Sequence, residues 1–113
     1  MIYKKFKEAE VFTGKTNRTY EYNIMDKDIN YCIVDINGRF PVKGYAINRV
    51  VKEMVHILSG SGILVVEGVE YKLEQDDVVL VYPGEKYYWE GNMRLGIPCS
   101  PAWYPEQHED VEE

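Results

Sequence analysis

The chain has 113 residues, a mass of 13.2 kDa, 45% apolar residues and a formal net charge of −6 at pH 7. A chain of this length has room for one hydrophobic core, so we expect a single domain over residues 1–113. Five acidic residues crowd a predicted acidic tail at 106–113, which leaves residues 1–105 with 13 basic against 14 acidic residues. Because no basic face is clustered, we expect no nucleic-acid partner.

The sequence has no signal-like or membrane-spanning segment. Apolar residues do not follow the lysines of the first ten positions, and no window approaches 18 uninterrupted apolar residues. We therefore expect a cytoplasmic protein without a membrane partner. Cys32 and Cys99 have neither CxxC nor zinc-like spacing, which predicts two reduced thiols in a core.

Short strands are predicted along the first half of the chain. They cover Glu10–Thr13, 19–25 and 31–36, the second because Tyr20, Tyr22 and Ile24 alternate along it. The pair Asn37-Gly38 tolerates positive φ and predicts a tight hairpin into a strand at 39–42. A further strand is expected at 44–51.

The central stretch from Glu53 to Tyr88 predicts a strand meander, because short Val/Ile/Leu-rich runs are separated by glycines and by Pro83-Gly84. Gly60-Ser61-Gly62 is interpreted as a hairpin turn. From Glu53 the alternation gives one face with Glu53, Val55 and Ile57, and another with Met54, His56 and Leu58. Both faces are largely apolar and need covering, so we expect a homodimer.

The end of the chain is predicted to be an extended arm. A last strand at 93–99 runs into a segment in which prolines oppose a regular central strand. Trp103 and Tyr104 are expected to pack back against the barrel, since burying each is worth roughly 2 to 3 kcal/mol. Only the acidic end beyond about Glu109 is expected to be free, and His108 is expected to be solvated.

Many short strands with glycine and proline turns predict an all-β sandwich or barrel. The central stretch resembles the cupin family, whose fold is a small jelly-roll β-barrel. The family's first motif, E-x-x-x-V-L-x-G-x-G, is matched by Glu53, Ile57, Leu58, Gly60 and Gly62. The resemblance implies a cupin-type barrel with its motif-bearing core at 44–105.

The second cupin motif, G-D-V-V-x-x-P-P-G-x-x-H, resembles residues 76–87, where Tyr87 stands in place of the histidine. Metal-binding cupins also carry a His-x-His pair shortly before the motif glutamate. Here those places hold Ile47 and Arg49, or Ala46 and Asn48, depending on the spacing. One carboxylate beside a phenol is a poor site for zinc, iron or manganese, so we expect no metal and no other cofactor.

If the ligand lies at the barrel mouth, as the resemblance implies, the matching residues are Arg49, Glu53, Tyr87 and Trp89. Arg49 and Glu53 would provide polar contacts, and the two aromatic residues would form walls. The alternative is that Arg49 and Glu53, four residues apart on one strand, only neutralise each other. His56 has the opposite parity to Glu53 and is expected to face away.

Three functions remain open from the sequence. The first is a metal-free cupin that binds a small polar organic molecule, sugar-like or carboxylate-like, in an aromatic-lined barrel. The second is a metal-independent isomerase or epimerase of a sugar derivative, with Glu53 as base and Tyr87 as acid. The third is a structural or regulatory homodimer with a filled barrel. Whether the protein is an enzyme is left undecided by the residues alone.

Overall fold

A computed structural model describes residues 1–112 and shows an antiparallel β-protein. Its strands are β1 (Glu10–Thr13), β2 (Asn17–Glu21), β3 (Asn30–Phe40), β4 (Tyr45–Asn48), β5 (Lys52–Val66), β6 (Val69–Leu73), β7 (Val78–Val81), β8 (Tyr87–Ser100) and β9 (His108–Val111). Short 3-10 turns at Phe6–Glu8 and Pro105–Gln107 precede β1 and β9. Within residues 1–112, no helix is long and apolar enough to cross a membrane. The predicted all-β class is confirmed.

The strands form one curled sheet in the order β1-β2-β3-β8-β4-β9, and β5 branches from β8 to carry β6 and β7. Strand β8 is the shared element, because it pairs with β3, β4 and β5. The curl encloses a core of aliphatic side chains together with Tyr87 and Trp89. Side chains from opposite parts of the sheet therefore meet inside the barrel.

Two predicted hairpins are wrong, because long strands run through the glycines that suggested them. Asn37 and Gly38 continue β3 and pair with Asn92 and Gly91 of β8. Gly60, Ser61 and Gly62 likewise continue β5 against β8. A Cβ added at Gly91 would lie 2.6 Å from the Cα of Gly62, so these glycines permit two backbones to approach closely.

The predicted strand at 44–51 ends early. Strand β4 stops at Asn48, and the chain bends at Arg49 and Val50 before β5 begins at Lys52. The two residues that the sequence suggested as a same-face pair are therefore separated: Arg49 lies in the bend and Glu53 lies on β5. The prediction for β2 is also displaced, since that strand covers Asn17–Glu21 and not 19–25.

The C-terminal segment is more ordered than expected. Strand β9 pairs with β4, with His108 opposite Asn48 and Val111 opposite Tyr45, so the prediction of a free end beyond about Glu109 is wrong for Asp110 and Val111. Trp103 packs back through a hydrogen bond to Asn48, whereas Tyr104 remains 40% exposed. The last residue of the predicted tail, Glu113, lies outside the described residues.

The outer face of β5 and β7 is apolar and uncovered within the described chain. Met54 pairs with Leu80 across the two strands, and His56 pairs with Val78. Met54, Leu80 and Val78 are 46%, 41% and 55% exposed. The predicted apolar outer face of β5 and β7 is thus present, and no other strand lies on top of these side chains.

Candidate functional site

Three polar side chains from three strands meet inside one end of the barrel. The Asn48 amide nitrogen Nδ2 donates to Glu53 Oε1 at 3.0 Å and to the Tyr87 hydroxyl at 3.2 Å. The Tyr87 hydroxyl itself lies 3.4 Å from Glu53 Oε1, to which it donates. We call Asn48, Glu53 and Tyr87 the polar triad.

Strand alternation explains why Glu53 and Tyr87 point inward. On β5, Val55 and Ile57 share the parity of Glu53 and are fully buried, because successive residues of a strand face opposite sides. On β8, Tyr87 and Trp89 are both buried, with ring centroids 6.3 Å apart in an edge-to-face arrangement. His56 faces outward, as predicted, and its Nε2 lies 3.0 Å from Asp76.

The C-terminal segment covers the triad by binding the other end of the Asn48 amide. Asn48 Oδ1 lies 3.2 Å from Trp103 Nε1, 2.9 Å from Gln107 Nε2 and 3.1 Å from His108 Nδ1. Gln107 is 3% exposed, and its own Oε1 accepts from the backbone N–H groups of Val50 and Val51. His108 is therefore part of the site and not solvated as expected.

Burial raises the pKa of Glu53 from 4.5 to about 7. Hydrogen bonds from Tyr87 and Asn48 favour the ionised carboxylate and oppose the rise, while the nearby Glu21 carboxylate adds to it. Burial also raises the pKa of Tyr87 well above 10, and the negative charge of Glu53 contributes. Near neutral pH, Glu53 is present in both protonation states and Tyr87 is a neutral phenol.

The surroundings of Glu53 are acidic and contain both thiols. Burial, followed by the charges of Glu53 and Glu21, raises the pKa of Cys99 to about 12. Cys32 lies opposite Glu21 in the β2–β3 pairing, and burial raises its pKa well above 9. Both cysteines are free, as predicted, and both are protonated at neutral pH, so they are weak nucleophiles.

A cavity of about 290 Å³ lies along β5, β6 and β7, and none of the triad residues lines it. Its walls include Val66 and Val81, which are the cross-strand partners of Tyr87 and Glu53. The walls are mainly apolar, with Tyr71 as their aromatic member and Glu85 as their charged member. This space can hold the apolar part of a small molecule.

A larger, open groove of about 660 Å³ lies elsewhere on the barrel. It is lined by residues 14–18, 35–37, 59–61 and 92–94. Its wall on β5 begins six residues after Glu53, which is about 20 Å along an extended strand. The groove is lined neither by a triad residue nor by a cross-strand partner of Glu53 or Tyr87.

The structure separates the four residues that the sequence suggested as a site. Glu53 and Tyr87 are in contact, and Trp89 is buried against Tyr87 within the core. Arg49 is not with them: its side chain is 51% exposed and forms an ion pair with Glu109 at 2.6 Å. The expected pairing of Arg49 with Glu53 is wrong, because the bend after Asn48 turns Arg49 outward.

The sequence resemblance matched Glu53, Tyr87 and either Asn48 or Arg49 to ligand positions of metal-binding cupins, but the donor set of the triad does not fit such a metal. Of the two possible spacings, the structure selects Ala46 and Asn48, since Asn48 contacts Glu53. Ala46 has no donor atom, the Asn48 amide is fully hydrogen-bonded, and the phenol of Tyr87 resists ionisation. Within residues 1–112, no group of His, Cys, Asp and Glu side chains is arranged to hold a metal ion.

Asn48, Trp103, Gln107 and His108 were not predicted as site residues. Asn48 was one of two alternatives for the second residue of the His-x-His pair. The alternation of inward and outward side chains along β4 was the signal that would have selected it over Arg49. Gln107 and His108 carried no local signal, because their contacts with Asn48 span 59 and 60 residues of sequence. Only the pairing of β9 with β4 brings them to the site.

Comparison with solved structures finds close similarity of fold at low sequence identity. The nucleoside dehydratase Pac13 has a TM-score of 0.91 and 16% identity, with 99% of this chain and 92% of that chain covered. A variant of Streptomyces PAC13 with uridine has a TM-score of 0.90 and 16% identity over 97% of this chain and 90% of that one. Ectoine synthase from P. lautus has a TM-score of 0.76 and 17% identity over 98% and 90%.

No family model matches the chain, and no curated protein matches its sequence. The solved neighbours are cupin-fold proteins, and the expected cupin-type β-barrel is confirmed. The sequence identity to these structures is 16–17%, while the structural similarity extends over nearly the whole chain.

We predict that Glu53→Gln removes a pH dependence of stability. The pKa of Glu53 is about 7 in the folded protein against 4.5 as its ordinary value, so between these two values the folded state holds more protons than the unfolded state. The free energy of unfolding therefore falls by about 3 kcal/mol as the pH rises from 4.5 to 7. Glutamine keeps the acceptor Oε1 but carries no charge, so at pH 8 the variant should be the more stable protein by about this amount.

The measurement is urea unfolding of both proteins at pH 5 and pH 8. Other carboxyl groups, including Glu21, titrate in both proteins, so the difference between the two isolates Glu53. An identical pH dependence in wild type and variant would contradict the placement of Glu53 as a buried, unpaired acid.

Proposed function

We propose that this protein is a metal-free cupin that binds a small, uncharged, hydroxyl-bearing organic molecule beside Glu53 and Tyr87. The observation that carries the proposal is the polar triad together with an apolar-walled cavity of about 290 Å³, two of whose wall residues, Val81 and Val66, are the cross-strand partners of Glu53 and Tyr87. Ligand sites are usually concave and mainly apolar, with a few polar groups that orient the ligand. The metal-free part rests on the donor set of Ala46, Asn48, Glu53 and Tyr87, which lacks imidazole and thiolate ligands.

The charges around the triad favour an uncharged ligand over a carboxylate. In the described part of the chain, no lysine or arginine forms an ion pair with Glu53, and Arg49 is engaged with Glu109. The charged side chain that shifts the pKa of Glu53 is the acidic Glu21, which raises it. A ligand carboxylate would meet repulsion without a compensating cation, so the sugar-like alternative is the better one.

Each triad residue has a distinct role in this proposal. Glu53 accepts a hydrogen bond from a ligand hydroxyl when ionised, and donates one when protonated. Tyr87 provides a second hydroxyl, and Trp89 supports its ring from the core. Asn48 holds both groups in place. Arg49 fastens the C-terminal segment through Glu109 and does not contact the ligand.

The solved neighbours support a small-molecule ligand. Streptomyces PAC13 is known with uridine, Pac13 is described as a nucleoside dehydratase, and another neighbour is an ectoine synthase. Uridine is uncharged and combines hydroxyl and amide groups with a flat ring, which suits a polar triad beside an apolar wall. It is therefore a reasonable first probe for this chain, whose own ligand has not been identified.

We expect uridine to bind more tightly than uridine monophosphate, because the phosphate brings negative charge next to Glu53 and Glu21. Tyr87→Phe should weaken uridine binding about tenfold by removing one hydrogen bond. Isothermal titration calorimetry with both compounds measures these differences. His56→Ala, on the outer face, is the control and should bind uridine like the wild type. Equal loss of affinity in this control would contradict the placement of the ligand beside Tyr87, and so would unchanged uridine affinity in Tyr87→Phe.

The second candidate function is acid–base catalysis on such a ligand, as in a metal-independent isomerase or epimerase. The observation that favours it is the pKa of about 7 for Glu53, because a general base works best when its pKa is near the working pH. Glu53 would remove a proton from carbon next to a carbonyl group, and Tyr87 would donate a hydrogen bond to the developing oxyanion.

Proton removal can be tested without knowing the product. In D2O at pH 7, the protein should catalyse deuterium exchange at the carbon next to the carbonyl of an uncharged ketose such as D-fructose, followed by NMR. The rate should fall at least a hundredfold in Glu53→Gln. An exchange rate equal to that of buffer alone, in a sample that binds the sugar, would leave binding as the function.

We further propose that the protein is a cytoplasmic homodimer formed through the outer face of β5 and β7. The support is the exposed apolar row of Met54, Val78 and Leu80, since contiguous exposed apolar surface marks interaction sites.

Light scattering after size exclusion should give twice 13.2 kDa for the wild type. Leu80→Glu should give a monomer, whereas Val11→Glu, on the exposed edge strand β1, should remain a dimer. A wild-type monomer at micromolar concentration would rule the dimer out.

A further inference from the structure

We infer that Gln107, together with Trp103 and His108, orients the Asn48 side-chain amide so that its NH2 group, and not its carbonyl oxygen, faces Glu53 and Tyr87. The inference deepens the proposed function and depends on it only for the ligand, since the orientation itself is a property of the unliganded chain. In this inference, the C-terminal segment determines which group of Asn48 faces Glu53 and Tyr87. A chain of hydrogen bonds runs from the backbone at Val50 and Val51 through Gln107 and Asn48 to Glu53.

The first step fixes the amide of Gln107. The backbone N–H groups of Val50 and Val51 lie 3.2 and 3.3 Å from Gln107 Oε1. A backbone N–H can only donate, so the atom that faces both groups must be the carbonyl oxygen. The Gln107 NH2 group is then directed the other way, to Asn48, at 2.9 Å.

The second step fixes the amide of Asn48. An NH2 group also only donates, so the Asn48 atom opposite Gln107 Nε2 must be the oxygen. Trp103 gives the same answer independently, because an indole N–H is a donor only and its Nε1 lies 3.2 Å from Asn48 Oδ1. His108 Nδ1 completes the set at 3.1 Å and must carry a proton to donate to Asn48 Oδ1.

The third step follows at the triad. With its oxygen facing the C-terminal segment, Asn48 presents Nδ2 to Glu53 Oε1 at 3.0 Å and to the Tyr87 hydroxyl at 3.2 Å. A donor at this place stabilises the ionised carboxylate, whereas a reversed amide would put a carbonyl oxygen against it. The other titratable groups that face Glu53 are Tyr87, Glu21, Cys32 and Cys99, and no one of them is a cation.

The framework around Gln107 is rigid enough to hold this orientation. Gln107 and Asn48 are 3% and 2% exposed. The backbone carbonyl oxygen of Gln107 accepts a hydrogen bond from the Arg49 backbone N–H at 2.8 Å, and β9 continues the pairing with β4 from His108 onward. Every buried side-chain nitrogen and oxygen of the described residues has a hydrogen-bond partner, so a reversed amide would break several bonds at once.

The test replaces Gln107 by a residue of the same size and opposite polarity. Gln107→Glu keeps an oxygen for the Val50 and Val51 N–H groups but presents a second oxygen to Asn48, which should reverse the Asn48 amide. The pKa of Glu53, followed by carbon-13 NMR titration, should then rise by at least about one pH unit above the wild-type value, because a donor to the charged form is lost. Gln107→Met is the control. It should leave the pKa of Glu53 within about half a pH unit of the wild-type value, since Trp103 and His108 still donate to Asn48.

The direct readout separates orientation from the added charge. In the wild type, the Asn48 NH2 protons should show nuclear Overhauser contacts with the Tyr87 ring, and these contacts should be lost in Gln107→Glu and kept in Gln107→Met. Contacts retained in a folded Gln107→Glu protein would overturn the inference. If Gln107→Glu does not fold, the wild-type spectrum still decides, because an amide that faces the Trp103 indole proton with its NH2 group refutes the assignment.

The outcome is independent of the proposed function. The titration and the Overhauser contacts need no ligand, so the orientation stands or falls without uridine. Failure of uridine to bind a protein with the expected Asn48 orientation would count against the proposed ligand and leave the role of Gln107 intact.

Discussion

The shared pairing of β8 holds this structure together. Its backbone pairs with β3 along one edge and with β5 along the other, and it also contacts β4. Strand β8 thus joins the β1–β3 part of the sheet to the β5–β7 part, and the lack of a Cβ at Gly62 and Gly91 lets the two long strands approach closely where these glycines pair. Tyr87 and Trp89 lie at the start of β8, and both side chains point into the barrel. The aromatic residues of the barrel interior therefore come from the strand that joins the two parts of the sheet.

Among residues 1–112, Glu53 is a carboxyl group inside the barrel that forms no ion pair with a basic side chain. Two arginine ion pairs lie elsewhere, Arg94 with Asp35 and Arg49 with Glu109. Neutral donors, the Asn48 amide and the Tyr87 hydroxyl, take the place that a cation or metal would fill. Neutral donors offset only part of the desolvation cost, which is why the acid keeps its proton up to near neutral pH.

The network continues from Glu53 through Asn48 to Gln107 and ends on the backbone at Val50 and Val51. That backbone is the bend between β4 and β5, so the loop that separates Asn48 from Glu53 also anchors the segment that orients them. The same bend turns Arg49 to the surface, where it binds Glu109 of β9. One local change of direction therefore decides which residue enters the site and how the site is covered.

The sequence by itself determined the β-class, the parity of Glu53 against His56, the inward Tyr87 and the two cupin motifs, because alternation and short turns are local properties of a strand. It failed where the same glycines could mark either a turn or a close strand approach, as at Gly38 and Gly62. It also failed at Arg49, since a bend of two residues resets strand parity without a local signal. The role of Asn48 and its cover by Trp103, Gln107 and His108 were decided only by tertiary structure, because these contacts join residues more than fifty positions apart through the pairing of β9 with β4.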